Sequence, residues 1–100
     1  MNVREFQKLA SDIVREIDEK LGVNRDAHIS ISQLLEELGE LARAVNSEKL
    51  RNKVPKKKEL EEEFADVFLQ LSILADIFGV DLEKAVLDKI EILKKRHGLK

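Results

Sequence analysis

The stretch EEEFADVFLQLSILADIF, residues 61–78, constrains the fold more than any other part of this chain. At ~100° per residue on a helical wheel, one side carries Phe64, Val67, Phe68, Leu71, Ala75 and Phe78. The opposite side carries Glu63, Asp66 and Gln70, then Ile73, Leu74 and Ile77. A helix that is apolar on both sides is central, and both sides need cover. A chain of 100 residues buries only part of its surface alone. The pattern therefore predicts a homo-oligomer, a dimer or a tetramer. It also aligns two acids, Glu63 and Asp66, with a stripe that is apolar further on.

The remaining segments predict a fold class of the same kind. One proline and four glycines leave few breakpoints, and no β-type alternation is sustained. A first helix is expected over Val3–Leu21, with Phe6, Leu9, Ala10, Ile13, Val14 and Ile17 on its buried stripe. GVNRDAH breaks it. Ser30 and Gln33 form a capping box, with Ile29 and Leu34 as its hydrophobic staple, and a second helix runs to about Asn46. SEKLRNKVPKKK reads as a solvated loop with six basic residues between Lys49 and Lys58. The third helix covers about Lys57–Phe78 and stops at Gly79. Asp81 caps a fourth, which carries Leu82, Ala85, Val86, Ile90 and Leu93 on one stripe. The expectation is all-α: a bundle of about four helices in a single domain, residues 1–100.

Composition removes several function classes. A net charge of −2, with the basic residues confined to one loop and one helix end, argues against nucleic-acid or anionic-membrane partners. All four aromatics are Phe, which weakens base stacking. Without cysteine there is no disulfide, zinc-thiolate site or thiol nucleophile. The amphipathic, charge-interrupted N-terminus reads as neither signal peptide nor membrane span, so the expected location is cytoplasmic.

On the second helix, Ile31, Leu34, Leu35, Leu38, Ala42 and Val45 share one broad apolar face. Glu37 and Glu40 lie on its flank with Ser30, Gln33 and Ala44, a polar stripe without long basic side chains. Glu37/Glu40 and Glu63/Asp66 are thus two i, i+3 pairs, each able to present two oxygens together. Two readings stand on pattern alone. The acids are solvated charge or ion-pair partners, as Glu36, Glu61 and Glu62 are on their own, the latter two near a helix start. Alternatively, the pairs face each other and form a cage of hard oxygens suited to Mg²⁺ or Mn²⁺.

EELGE (Glu36–Glu40), followed after the basic loop by EFAD (Glu63–Asp66), resembles the EExxE…ExxD signature of the MazG-like all-α nucleoside triphosphate pyrophosphohydrolases. LLEELGELARAV, EEEFADVFLQLSILADIFGVDLEKAV and KIEILKKRHG extend the resemblance over nearly the whole chain, most weakly before residue 28. It implies Mg²⁺-dependent hydrolysis of a nucleoside triphosphate to the monophosphate and pyrophosphate, in nucleotide-pool house-cleaning. By motif position Glu37, Glu40, Glu63 and Asp66 would be metal ligands, with Glu36 supporting. Lys89 and Arg96 match basic residues that relatives use near phosphate; dipole complementarity at a helix C-terminus explains them equally well. Leu93 stands where many relatives have asparagine.

With this resemblance, water is expected to attack the α-phosphorus, with Glu37 or Glu40 as general base. The basic loop would steer the triphosphate, or simply be solvated. Two other readings remain open: a phosphoribosyl-ATP pyrophosphohydrolase-like enzyme, from whose pattern ADVFLQL departs, and a non-catalytic helical dimerisation module.

Overall fold

The computed structural model describes residues 1–100, and the chain is all-α. Helix α1 spans Val3–Leu21, α2 Ala27–Val45, α3 Ser47–Arg51, α4 Lys57–Ile77 and α5 Leu82–Arg96. No helix is long and apolar enough to cross a membrane.

The helix boundaries follow from local chemistry. The Asn2 side chain accepts a hydrogen bond from the Glu5 amide at 2.9 Å and starts α1. Gly22, at φ 69°, closes it: the Gly22 amide donates to the Glu19 carbonyl and the Val23 amide to that of Asp18, a Schellman ending. Gly79, at φ 67°, ends α4 in the same way, with the Val80 amide on the Ala75 carbonyl at 2.9 Å. Asp81 then caps α5 by accepting from the Lys84 amide.

Two local expectations are corrected. The second helix begins a turn earlier than the Ser30/Gln33 box predicts, because Asp26 accepts from the Ile29 amide at 2.9 Å and is the true cap. Ser30 lies inside the helix, fully buried, and its hydroxyl accepts from Arg25 at 3.1 Å. The segment expected to be loop also contains the short helix α3. Ser47 Oγ holds it by donating to the carbonyls of Ala44 and Lys53, and Asn52, at φ 54°, terminates it.

Helix α4 is central, packing on α2 and α1, while α5 rests on α1 and α3 on α2. Arg25, just before α2, reaches Gln70, whereas later turns of α2 meet Asp66 and Glu63, so α2 and α4 run antiparallel. Helix α1 is also antiparallel to α4: Gln7 bonds Val80 and Ser11 bonds Ser72. Gln7 clamps the α4–α5 turn, donating to the Val80 carbonyl at 2.7 Å and accepting from the Leu82 amide at 2.8 Å.

Which faces are buried differs from expectation. On α1, Ala10 and Val14 are buried, but their partners are Gln7, Ser11 and Asp18. Phe6, Leu9, Ile13 and Ile17 are left exposed, Ile17 by 51%. Ser11 meets Ser72 where the helices cross, and the other buried residues of this narrower stripe include the small Ala10 on α1 and Ala75 on α4. On α2, the flank with Ser30, Leu34 and Ala44 is buried, and Ile31, Leu35, Leu38 and Val45 face outward. Helix α4 covers its Ile73 side within the chain and leaves Phe64, and Phe78 at its C-cap, exposed by 59% and 66%. No residue of α5 is buried, so Val86, Ile90 and Leu93 form an uncovered stripe. The radius of gyration, 16.2 Å, exceeds the roughly 13 Å of a compact chain this long. The single chain is an open frame with several apolar faces unpaired.

Candidate active site

The α2–α4 contact that sets Arg25 and Ser30 beside Gln70 at one end brings the two acidic pairs together further along. Glu37 and Glu40 on α2 meet Glu63 and Asp66 on α4, each offering a carboxylate oxygen, and these oxygens lie within 4.8 Å of one another. The i, i+3 spacing directs each pair to the same side of its helix, and the antiparallel crossing turns the pairs to face each other. Glu37, Glu63 and Asp66 are half-buried and Glu40 is exposed.

Such a cluster is electrostatically costly without positive charge. One oxygen of Glu37 and one of Glu63 are buried without any hydrogen-bond donor, and so is the amide oxygen of Gln33, one turn from Glu37. Burial, then the charges of Glu40 and Asp66, push the Glu37 carboxyl up to about 7. Burial also raises Glu63, helped by Glu40 and Asp66. Buried carboxylate oxygens with no donor are what a hard cation would satisfy. The residues therefore fit a divalent ion, with ligands drawn from Glu37, Glu40, Glu63 and Asp66.

The other residues singled out in the sequence lie elsewhere. Glu36 is exposed and outside the cluster. Lys89 and Arg96 are on α5, which rests on α1, and neither lines the cavity beside the carboxylates.

That cavity holds what pattern reading missed. It measures about 730 Å³, and its charged lining comprises Glu40, Glu59 and Glu63 together with Arg43, Arg51, Lys53 and Lys56. The basic loop hinted at part of it. Arg43, one turn beyond Glu40, carried a legible signal in its i+3 spacing. A second omission is the ion pair of Asp18 with Arg25, whose partners lie seven residues apart across a turn.

With this geometry in place, the similarity to known proteins is direct. Residues 25–98 match the profile of the MazG nucleotide pyrophosphohydrolase domain, and the chain belongs to that family. The match takes in all four clustered acids and the basic segment. Two relatives come from Bacillus subtilis (strain 168), each described as an uncharacterized protein. YvdC is 42% identical over 77 residues, covering 68% of this chain and 73% of YvdC. YpjD is 38% identical over 85 residues, covering 78% of this chain and 77% of YpjD.

Proposed function

We propose that the chain is a Mg²⁺-dependent nucleoside triphosphate pyrophosphohydrolase, converting (d)NTP to (d)NMP and pyrophosphate in nucleotide-pool house-cleaning. The observation that carries the reading is the facing carboxylate quartet, with buried oxygens on Glu37 and Glu63 that find no donor. Family membership supports nucleotide pyrophosphohydrolysis as the reaction class.

Glu37, Glu40, Glu63 and Asp66 hold the cation, Mg²⁺ or Mn²⁺, because four carboxylates and no nitrogen or sulfur make a hard donor set. When bound, the ion supplies charge neutralisation for phosphate oxygens and a lowered pKa for an attacking water. Water attacks the α-phosphorus, the bond to the α–β bridging oxygen breaks, and pyrophosphate leaves. Glu37 or Glu40 takes the water's proton. Glu36, exposed beside Glu37, adds negative potential at the rim.

We assign residues 1–100 to one MazG-like domain acting in the cytoplasm as a homodimer or homotetramer. The exposed stripes Phe6–Leu9–Ile13–Ile17 and Phe64–Phe78 support self-association. The same stripes would suit a non-catalytic dimerisation module, but such a module gives no reason to bury unpaired carboxylates. Lys89 and Arg96 are assigned to phosphate contact, which requires α5 to approach a cluster in the assembled oligomer.

Chelation and the Glu40→Gln variant test the reading. Each should abolish NTP hydrolysis while helicity by circular dichroism stays unchanged. Activity persisting in EDTA, or in Glu40→Gln, contradicts it.

A further inference from the structure

Four cations, Arg43, Arg51, Lys53 and Lys56, line one cavity and outnumber its three carboxylates, Glu59 and the two cluster acids Glu40 and Glu63. Arg43, Lys53 and Lys56 form no ion pair and no side-chain hydrogen bond; Arg51 spends only one N–H, on the Arg43 carbonyl at 3.1 Å. By contrast, Arg4, Arg15 and Arg25 are each committed to a carboxylate. Cations that gather round one space without partners repel each other, and a polyanion entering that space relieves the repulsion.

The lining offers little to a nucleotide base. Only Ala44 and Val54 are apolar, and there is no aromatic side chain, so a base finds no aromatic platform on which to stack. At about 730 Å³ the cavity has room for two phosphates with their water. Its frame is built: Ser47 ties α3 to the end of α2 and to Lys53, and Asn52 adopts the left-handed turn that brings Lys53 and Lys56 back over α2.

We infer that this cavity is a pyrophosphate subsite: it holds the β- and γ-phosphates of the triphosphate and keeps the base on the opposite side of the carboxylate cluster. The inference rests on the hydrolase reading and deepens it. Selection for triphosphates then comes from the α2–α3–α4 turn rather than from the cluster itself. Binding there weakens with salt, as expected for exposed cations.

Calorimetric titration of inorganic pyrophosphate into the full chain, with saturating Mn²⁺, tests this. Lys53→Ala combined with Lys56→Ala removes no bond of the fold, and Arg51→Gln provides a second variant. Each should weaken pyrophosphate binding by about tenfold or more, while the affinity for Mn²⁺ alone stays as in the wild type. Pyrophosphate affinity unchanged in both variants, or absent from a wild type that binds Mn²⁺ and hydrolyses NTP, overturns the subsite and leaves the hydrolase standing. A wild type that neither binds Mn²⁺ nor hydrolyses NTP overturns both.

Discussion

Asp18 and Arg25 form a two-point ion pair, at 2.5 and 3.0 Å, with side chains only 12% and 7% exposed. Arg25 also reaches Ser30 Oγ at 3.1 Å and Gln70 Oε1 at 3.5 Å. One guanidinium thus ties the end of α1 to α2 and to α4, one turn from Asp66. Removing one partner of a buried pair strands the other charge, at about 3–5 kcal/mol. Asp18→Ala should lose stability of that order in urea unfolding at fixed protein concentration. A loss below about 1 kcal/mol would mean that the pair behaves as a surface bridge.

The acidic cluster makes stability depend on pH in an unusual direction. Between the ordinary value of 4.5 and about 7, Glu37 holds a proton in the folded chain that the unfolded chain releases. Glu63 is shifted in the same direction. The metal-free protein is therefore most stable on the acid side of this window, and stability falls as pH rises through about 7. Thermal melts in EDTA at about pH 5 and about pH 8 should show the higher Tm at the lower pH. A Tm that climbs towards pH 8 would contradict the assignment.

A divalent ion reverses that trend, because it binds the deprotonated carboxylates. At a hundredfold excess over its Kd the ion should add about 2.7 kcal/mol, with the largest Tm rise at alkaline pH. Glu37→Gln removes the charge in the most crowded position. It should raise metal-free stability by about 1 kcal/mol near pH 8 and abolish most of the Mn²⁺-linked rise. A variant whose melt still responds to Mn²⁺ like the wild type would remove Glu37 from the ligand set.

The exposed stripe of α1 predicts assembly. Wild-type protein should sediment as a dimer or tetramer, and Ile13→Glu, which places charge in the middle of Phe6–Leu9–Ile13–Ile17, should shift it towards monomer at micromolar concentration. Identical sedimentation of the two would place the interface on another face.

Helix limits were legible in the sequence wherever a stop was chemically singular, as at Gly22 and Gly79, whose left-handed backbone ends α1 and α4. The start of α2 was ambiguous because Asp26 and Ser30, one turn apart, are both good caps; Arg25, which occupies Ser30, decided between them. The buried faces were the least legible part. Hydrophobicity marks Phe6, Leu35 and Phe64 for burial somewhere, but cannot say whether by this chain or another copy. Within the chain, Ser11, Ser30, Ser72 and Ala44 took the contacts because small residues allow close helices. Glu37, Glu40, Glu63 and Asp66 were visible by spacing, since i, i+3 geometry survives any choice of partner. The cavity beyond them was not, because it depends on how α3 folds the basic segment back.

The identity of the first phosphorus product tests the central claim most directly. Ribo- and deoxynucleoside triphosphates incubated with the wild-type protein and Mg²⁺, followed by ³¹P NMR, should yield nucleoside monophosphate and pyrophosphate in equal amounts. Release of orthophosphate as the first product, or no turnover of any triphosphate, would contradict it.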